Sequence, residues 1–154
     1  MWRCNDGEYD MPGRWFGMAW LVVAMLLAGC RHTPDEQQLR EAITAAAQAA
    51  EDTDAAGFGH WLTADFDGNG GEFDARRLSG VLRVAHLRDE RVSVMLGPVT
   101  VEARGERMVA TFTATLGGGG RLLPERLGVY EVETAWRRDG SEWRCYTASW
   151  QRRL

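Results

Sequence analysis

Apolar residues follow two different periods along the chain, and the change comes near Asp89. Before it they recur every three or four positions, which is the spacing of one helix face. The first such stretch begins at residues 33–36, where a capping threonine is followed by proline in the first turn. The pattern predicts a helix from residue 34 to about residues 51–53, with an apolar stripe of Leu39, Ile43, Ala46, Ala47 and Ala50.

Two shorter patterns follow this first helix. Residues 54–66 carry Phe58, Trp61, Leu62 and Phe66, and we expect a short helical or irregular segment there. Glycines at residues 68–71 interrupt the chain. Apolar residues then return every three or four positions, which predicts another helix over residues 72–87.

Beyond Asp89 apolar and polar residues alternate, as in strands that bury one face. Turns rich in glycine separate these alternating stretches. Helices followed by a run of strands predict an α+β fold, with N-terminal helices packed on a strongly curved antiparallel sheet of about five strands. The strand candidates are residues 92–96, 99–103, 108–116, 130–136 and 146–150.

The most specific signal is an apolar run near the start of the chain. Residues 15–27 follow Arg14 and lead into Leu27-Ala28-Gly29-Cys30, after which the sequence turns polar. A positive residue, an apolar stretch of about 7–15 residues and small residues before a cleavage point describe a secretory signal. The run is shorter than the roughly 20 residues of a membrane-spanning helix. The alternative is an uncleaved anchor helix that ends in a chance cysteine.

Leu-Ala-Gly-Cys resembles the lipobox of bacterial lipoproteins at all four positions. The resemblance implies cleavage before Cys30 and acylation of that cysteine, which attaches the chain to a lipid bilayer. Arg31 follows where an Asp would favour the inner membrane, so the same resemblance favours the periplasmic side of the outer membrane. We expect a signal peptide over residues 1–29, a lipidated cysteine and tether over residues 30–34, and one domain over residues 35–154.

Residues 1–10 do not suit a signal peptide, because they hold three acids against one base. We therefore expect Met11 to be the true start. Cys4 and Cys30 then belong to the processed segment, and Cys145 alone remains in the domain, where we expect a small buried thiol. The formal net charge of −4 lacks the basic excess of a nucleic-acid binder, so we expect no nucleic-acid partner.

The last predicted hairpin is the most characteristic part of the domain. A strand ends in Trp136, Asp139-Gly140 forms a tight turn, and Trp143 opens the final strand. With the alanine-rich first helix and the two helical segments after it, this hairpin resembles the nuclear transport factor 2-like superfamily, which includes SnoaL-like and cystatin-like proteins. The resemblance covers residues 35–152 and implies a cone whose sheet wraps around a pocket closed by the helices.

Residues 65–70 match the start of a calcium-binding EF-hand loop. The last ligand of such a loop is a bidentate carboxylate, and Arg76 stands at that position. A turn of Asp, Asn and Gly before a helix explains the same residues. The histidines His60 and His86 lack the spacing of a metal site. We expect neither a metal nor a cofactor.

Acid–base enzymes of the resembled superfamily use Asp, His or Tyr side chains inside the cone. The candidates here are His60, Asp65 and Glu131, which shares a strand face with Glu133. Two carboxylates in a pocket raise the pKa of one of them, which can then act as an acid. The alternative is that arginines on neighbouring strands balance these carboxylates, which then form a solvated face of the sheet.

Aromatic residues of the last two strands would line the pocket if their faces point inward; they are Tyr130, Trp136, Tyr146 and Trp150. We therefore predict a membrane-anchored periplasmic lipoprotein whose domain binds a small apolar ligand or a protein partner. A homodimer formed through the sheet is a further option. The alternative is a small acid–base enzyme of the isomerase, cyclase or dehydratase type that uses a pocket in the cone.

Overall fold

The computed structural model describes residues 34–119 and 128–153. The predicted signal peptide, the lipobox with Cys30, the capping residue Thr33 and residues 120–127 lie outside the described residues. The helices are α1 (Pro34–Glu51), α2 (Ala55–His60) and α3 (Ala75–Leu87). The strands are β1 (Leu62–Gly68), β2 (Arg91–Leu96), β3 (Thr100–Arg104), β4 (Arg107–Gly119), β5 (Gly128–Asp139) and β6 (Glu142–Arg152).

Aspartates cap the two shorter helices. Asp54 Oδ1 accepts hydrogen bonds from the backbone N–H groups of Ala56 and Gly57, at 3.1 and 2.9 Å. Asp74 Oδ1 accepts one from Arg77 N at 2.6 Å. These caps satisfy donors that the first turn of a helix leaves unpaired. They also explain why α3 starts a few residues later than the apolar pattern predicts.

Residues 62–68 form a strand, which corrects our prediction of a helical or irregular segment up to residue 66. β1 pairs in parallel with β6, from Leu62 beside Cys145 to Gly68 beside Ala148. The sequence signal was the alternation of Leu62, Ala64 and Phe66 with polar residues, but this run is too short to separate from the helical pattern before it. The sheet is therefore mixed and has a sixth strand.

The remaining strands are antiparallel, and the five predicted strands are confirmed. The order across the sheet is β1-β6-β5-β4-β2, and β3 pairs with the first part of β4 while β2 pairs with its second part. The β5–β6 hairpin turns between Asp139 and Glu142. Gly140 begins this turn with φ of 66°, a conformation that glycine adopts without a Cβ clash. The predicted α+β fold, with helices on a curved sheet, is confirmed.

The core lies between α1 and the end of the sheet that contains the β5–β6 turn. Leu39 of α1 is 0% exposed, and Ala42 and Ile43 are buried beside it. An ion pair between Asp35 and Arg138 links the first turn of α1 to this same end. We call this the filled end of the sheet face; its buried strand residues are Met108, Ala110, Trp136, Trp143 and Cys145.

The opposite end of the same face is less completely covered. The apolar side chains there are only partly buried: Val94, Phe112, Tyr130, Val132 and Trp150. α1 reaches this end through Glu51, whose Oε1 accepts a hydrogen bond from Val94 N at 2.8 Å. We call this the open end. Within the described ranges, no helix combines the length and apolarity needed to cross a membrane.

We expect Leu39→Ala to lower the free energy of unfolding by about 2–5 kcal/mol, because it leaves a cavity where α1 meets the filled end. The control is Val81→Ala on α3, where the side chain is 58% exposed and the expected change is within about 0.5 kcal/mol. Urea titration followed by circular dichroism measures both values. Equal effects of the two substitutions would contradict this description of the core.

Candidate functional site

The register of the sheet decides which side chains share its helix-covered face. On β5 these are Tyr130, Val132, Thr134 and Trp136, because Thr134 and Trp136 are buried and strand residues alternate. Their partners on β4 are Ala114, Phe112, Ala110 and Met108. The middle of this face is mainly apolar, with Arg138 at one end and Arg152 at the other, and we take its open end as the candidate binding site.

Trp136 belongs to the filled end rather than to an open lining. It is 3% exposed, and its Nε1 donates a hydrogen bond to Thr134 Oγ1 at 2.8 Å. Thr134 Oγ1 in turn donates to the backbone oxygen of Ala110 at 3.2 Å. Because this chain satisfies the buried polar atoms of Trp136 and Thr134, Trp136 stabilises the filled end beside the site.

Tyr146 lies on the other face of the sheet, which corrects our placement of it beside Trp150. The register shifts between Ala135 and Trp136, so that Trp136 pairs with Cys145 and Ala135 with Thr147. This β-bulge turns Cys145 into the core and Tyr146 outward. The Tyr146 ring there lies near the guanidinium groups of Arg107 and Arg137, whose Cζ atoms are 5.3 and 5.5 Å from its centroid.

Trp150 stays at the open end, where its ring packs against Phe73 at a centroid distance of 5.3 Å. Gly68 permits this contact, since a Cβ there would lie 3.0 Å from the Trp150 ring and 3.1 Å from Phe73. The backbone N–H of Trp150 donates to Asn69 Oδ1 at 2.9 Å. The turn that follows β1 therefore positions Trp150.

This turn also accounts for the residues of the calcium-like motif. Asn69 and Gly70 both have positive φ, and Asp67 Oδ1 accepts a hydrogen bond from Gly71 N. Asp65 forms an ion pair with Arg137. Among the described residues no three acidic, histidine or cysteine side chains come together as a potential metal site.

The three acid–base candidates all lie outside the helix-covered face. His60, at the end of α2, places Nε2 3.1 Å from Glu142 Oε2, and both side chains are 44% exposed. Glu131 is on the opposite face of β5, where its Oε2 accepts hydrogen bonds from Arg153. Glu133 shares that face and is exposed. The structure does not bring these groups together.

Asp65 and Arg137 form a two-point ion pair on the outer face. Arg137 Nη2 lies 2.5 Å from Asp65 Oδ1, and Nη1 lies 3.1 Å from Oδ2. Hydrogen bonding to Arg137 is the main cause that lowers the pKa of the Asp65 carboxyl, and the same bond raises the pKa of Arg137. A carboxyl held in its charged form in this way is a poor proton donor.

Cys145 is the buried thiol that the sequence predicts. It is 3% exposed, and desolvation raises its pKa to about 12. Its Sγ donates to the backbone oxygen of Thr147 at 3.2 Å. Because the thiolate is the nucleophile, this cysteine is unreactive at neutral pH.

A second, shallow cleft of about 300 Å³ lies between the end of α1 and α3, lined by Asp52, Thr53, Asp54, Ala55, Arg83 and His86. Thr53 Oγ1 and His86 Nδ1 are 3.1 Å apart across it. His86 is thus an exposed residue of the last turn of α3. The aspartates of this cleft cap α2 and bond to Gln48, so they form no separate site.

Comparison with solved structures identifies the architecture. A nuclear transport factor 2-like (NTF2-like) protein of Cytophaga hutchinsonii superposes with a TM-score of 0.66 at 10% identity, over 78% of this chain and 99% of that one. An NTF2-like protein of Streptomyces avermitilis, named as a candidate dehydratase, gives 0.64 at 21% identity, over 79% and 99%. The described domain has the NTF2-like fold.

Other comparisons set the limits of this NTF2-like assignment. Bd1075 of Bdellovibrio bacteriovorus has a TM-score of 0.64 at 10% identity over 76% of this chain, which spans only 41% of that protein. No protein-family profile matches the chain, and no curated protein matches it. Identities this low relate the chain to these structures by fold alone.

Sequence reasoning missed the β-bulge and the half-buried residues Phe112 and Val132. The bulge has a signal in the sequence, since the apolar residues of β6 change from odd positions at Trp143 and Cys145 to even positions at Ala148 and Trp150. The partial burial of Phe112 and Val132 has none, because it depends on which distant parts of the chain pack over these strands.

We expect Arg137→Gln to raise the pKa of Asp65 toward its ordinary value of 3.8. A carboxyl whose pKa is lowered by folding stabilises the protein above its unfolded pKa and loses this effect as pH falls through the folded pKa. The pair therefore contributes at neutral pH and is lost in acid below 3.8. A carbon-13 NMR titration of Asp65 measures the shift. Arg153→Gln is the control, and identical titrations of the Arg137 variant and the unchanged protein would contradict the pairing.

Proposed function

We propose that the protein is a lipid-anchored periplasmic binding module whose NTF2-like domain takes a small apolar ligand at the open end of the sheet. The observation that supports this most directly is the incomplete burial of Phe112, Tyr130, Val132 and Trp150 on a face that is otherwise packed. Apolar side chains that keep part of their surface in water gain free energy when a ligand covers that surface.

The chemistry of the open end favours binding over acid–base catalysis. Of the described strand residues on this face at the open end, Tyr130 and its β6 partner Arg152 are ionisable, and none is acidic or a histidine. The acidic and histidine candidates are solvent-exposed and paired with Arg137, Arg153 and Glu142. A general acid or base must reach the substrate, and these groups face away from the open end.

The anchor rests on the sequence. Leu27-Ala28-Gly29-Cys30 follows an apolar run of signal-peptide length, and Arg31 favours the outer membrane. Cys30 precedes the first described residue, Pro34, by four positions, so a lipidated Cys30 would keep the start of α1 within about 14 Å of the attachment point.

We expect Val132→Trp to fill the open end and to reduce ligand capture. The vesicle-bound full chain is irradiated with an aliphatic diazirine, and peptide mapping quantifies labelling near Trp150. Labelling falls roughly tenfold, equivalent to about 1.4 kcal/mol of binding. Ser149→Trp, on the opposite face of β6, is the matched control and leaves labelling unchanged. Unchanged labelling in Val132→Trp would exclude the open end as the site. Loss of labelling in the triple variant His60→Ala/Asp65→Asn/Glu131→Gln would favour the alternative of an acid–base enzyme.

Cleavage and acylation at Cys30 predict the mass of the mature chain. We expect the membrane fraction to contain a chain that starts at Cys30 and carries the added mass of acyl groups. Cys30→Ser should accumulate as the longer, unmodified precursor. Intact-mass spectrometry distinguishes the two forms, and an unmodified chain that retains residues 15–29 in the unchanged protein would contradict lipidation.

A further inference from the structure

The outward face of α3 carries an apolar stripe, which we define as Val81, Val84 and Leu87. These side chains are 58, 44 and 78% exposed. They lie on a different side of the helix from Leu78, Leu82 and Ala85, which are half-buried or buried. Large aliphatic side chains grouped on one helix face leave apolar surface in water, and such a group marks a contact surface.

Arginines lie along one border of this stripe and within it. At 100° per residue, Arg76 and Arg83 lie next to Leu87, and Arg77 and Arg88 lie between Val84 and Val81 near the two ends of the helix. Residues 75–88 contain these four arginines and one histidine but no acidic residue. Arg76, Arg83 and Arg88 form no ion pair with any other described side chain.

Acidic residues occur near the helix only beyond its ends and across the cleft. Glu72 and the capping Asp74 precede α3, Asp89 and Glu90 follow it, and the cleft places Asp52 and Asp54 opposite Arg83. The helix face that bears the stripe therefore carries only positive charge, although acidic residues flank it, and a partner that covers the face itself must be apolar and negatively charged.

We propose that α3 docks on an anionic lipid bilayer, with the stripe in the headgroup–acyl boundary and the arginines on lipid phosphates. Pairing of two α3 helices from two copies is disfavoured, because it would bring eight arginines together with acidic residues only beyond the ends of each helix. A bilayer is favoured over an acidic protein because α1 starts four residues after the proposed anchor at Cys30, and α2 packs against both α1 and α3 in one helical layer. The docking chemistry itself does not require acylation.

The test places a fluorescent reporter on the stripe of the full chain. Leu87→Cys in a Cys4→Ser/Cys30→Ser background is labelled with an environment-sensitive dye, while buried Cys145 stays unlabelled. This chain cannot be acylated, and its apolar run at residues 15–29 keeps it on vesicles, so the result is independent of the proposed lipidation. Met95→Cys on β2, where the side chain is 69% exposed, is the matched control.

We expect a blue shift and quenching by nitroxide-labelled lipid in phosphatidylglycerol vesicles, and on the order of tenfold less quenching in phosphatidylcholine vesicles or in high salt. Arg76→Glu/Arg83→Glu should abolish the difference between the two lipids, and dye at Met95 should show neither change. Equal, weak quenching at Leu87 and Met95 in phosphatidylglycerol would overturn the proposal. A blue shift that grows with protein concentration and not with anionic lipid would assign the stripe to self-association instead.

Discussion

The two ends of the helix-covered sheet face depend on the β-bulge that β6 makes opposite Ala135 and Trp136. Side chains alternate along a strand, so an unbroken β6 could not place both Cys145 and Trp150 on the same face. The bulge changes the alternation once. As a result Trp143 and Cys145 pack under α1, while Ala148 and Trp150 continue the same face toward the open end.

The same alternation of side chains also decides which face of the sheet each polar group occupies. On the helix-covered face, the Thr134 hydroxyl accepts a hydrogen bond from the Trp136 indole and donates one to the Ala110 carbonyl, so both side chains have partners within the core. On the opposite face and at the edges, arginines pair with the carboxylates that might otherwise have served as acids or bases: Arg137 with Asp65 and Arg153 with Glu131. An apolar floor surrounded by ion pairs on the outside suits a site that holds a ligand without reacting with it.

Much of the fold could be predicted from the sequence, because α1, α3 and the long strands each carry a strong period of hydrophobic residues. β1 could not, since its seven residues follow α2 directly and its pairing partner, β6, is about 80 residues later in the chain. For the candidate site, the alternation of apolar and polar residues correctly places Tyr130 and Trp150 on the helix-covered face, but it places Tyr146 there wrongly. A register shift inverts the alternation of every residue on one side of it.

The sequence by itself determined the order of the helices and strands other than β1 and the buried thiol of the last strand, because local periods carry this information; the lipid attachment at Cys30 stays a prediction from a short contiguous motif. The tertiary structure decided which aromatic side chains face the helices, where the face stays open, and that His60, Asp65 and Glu131 each pair with a charged neighbour. These properties depend on contacts between residues distant in the chain, such as Asp65 with Arg137 and Glu51 with Val94. Strand pairing brings such residues together, and the hydrophobic periodicity of the sequence does not predict which strands will pair.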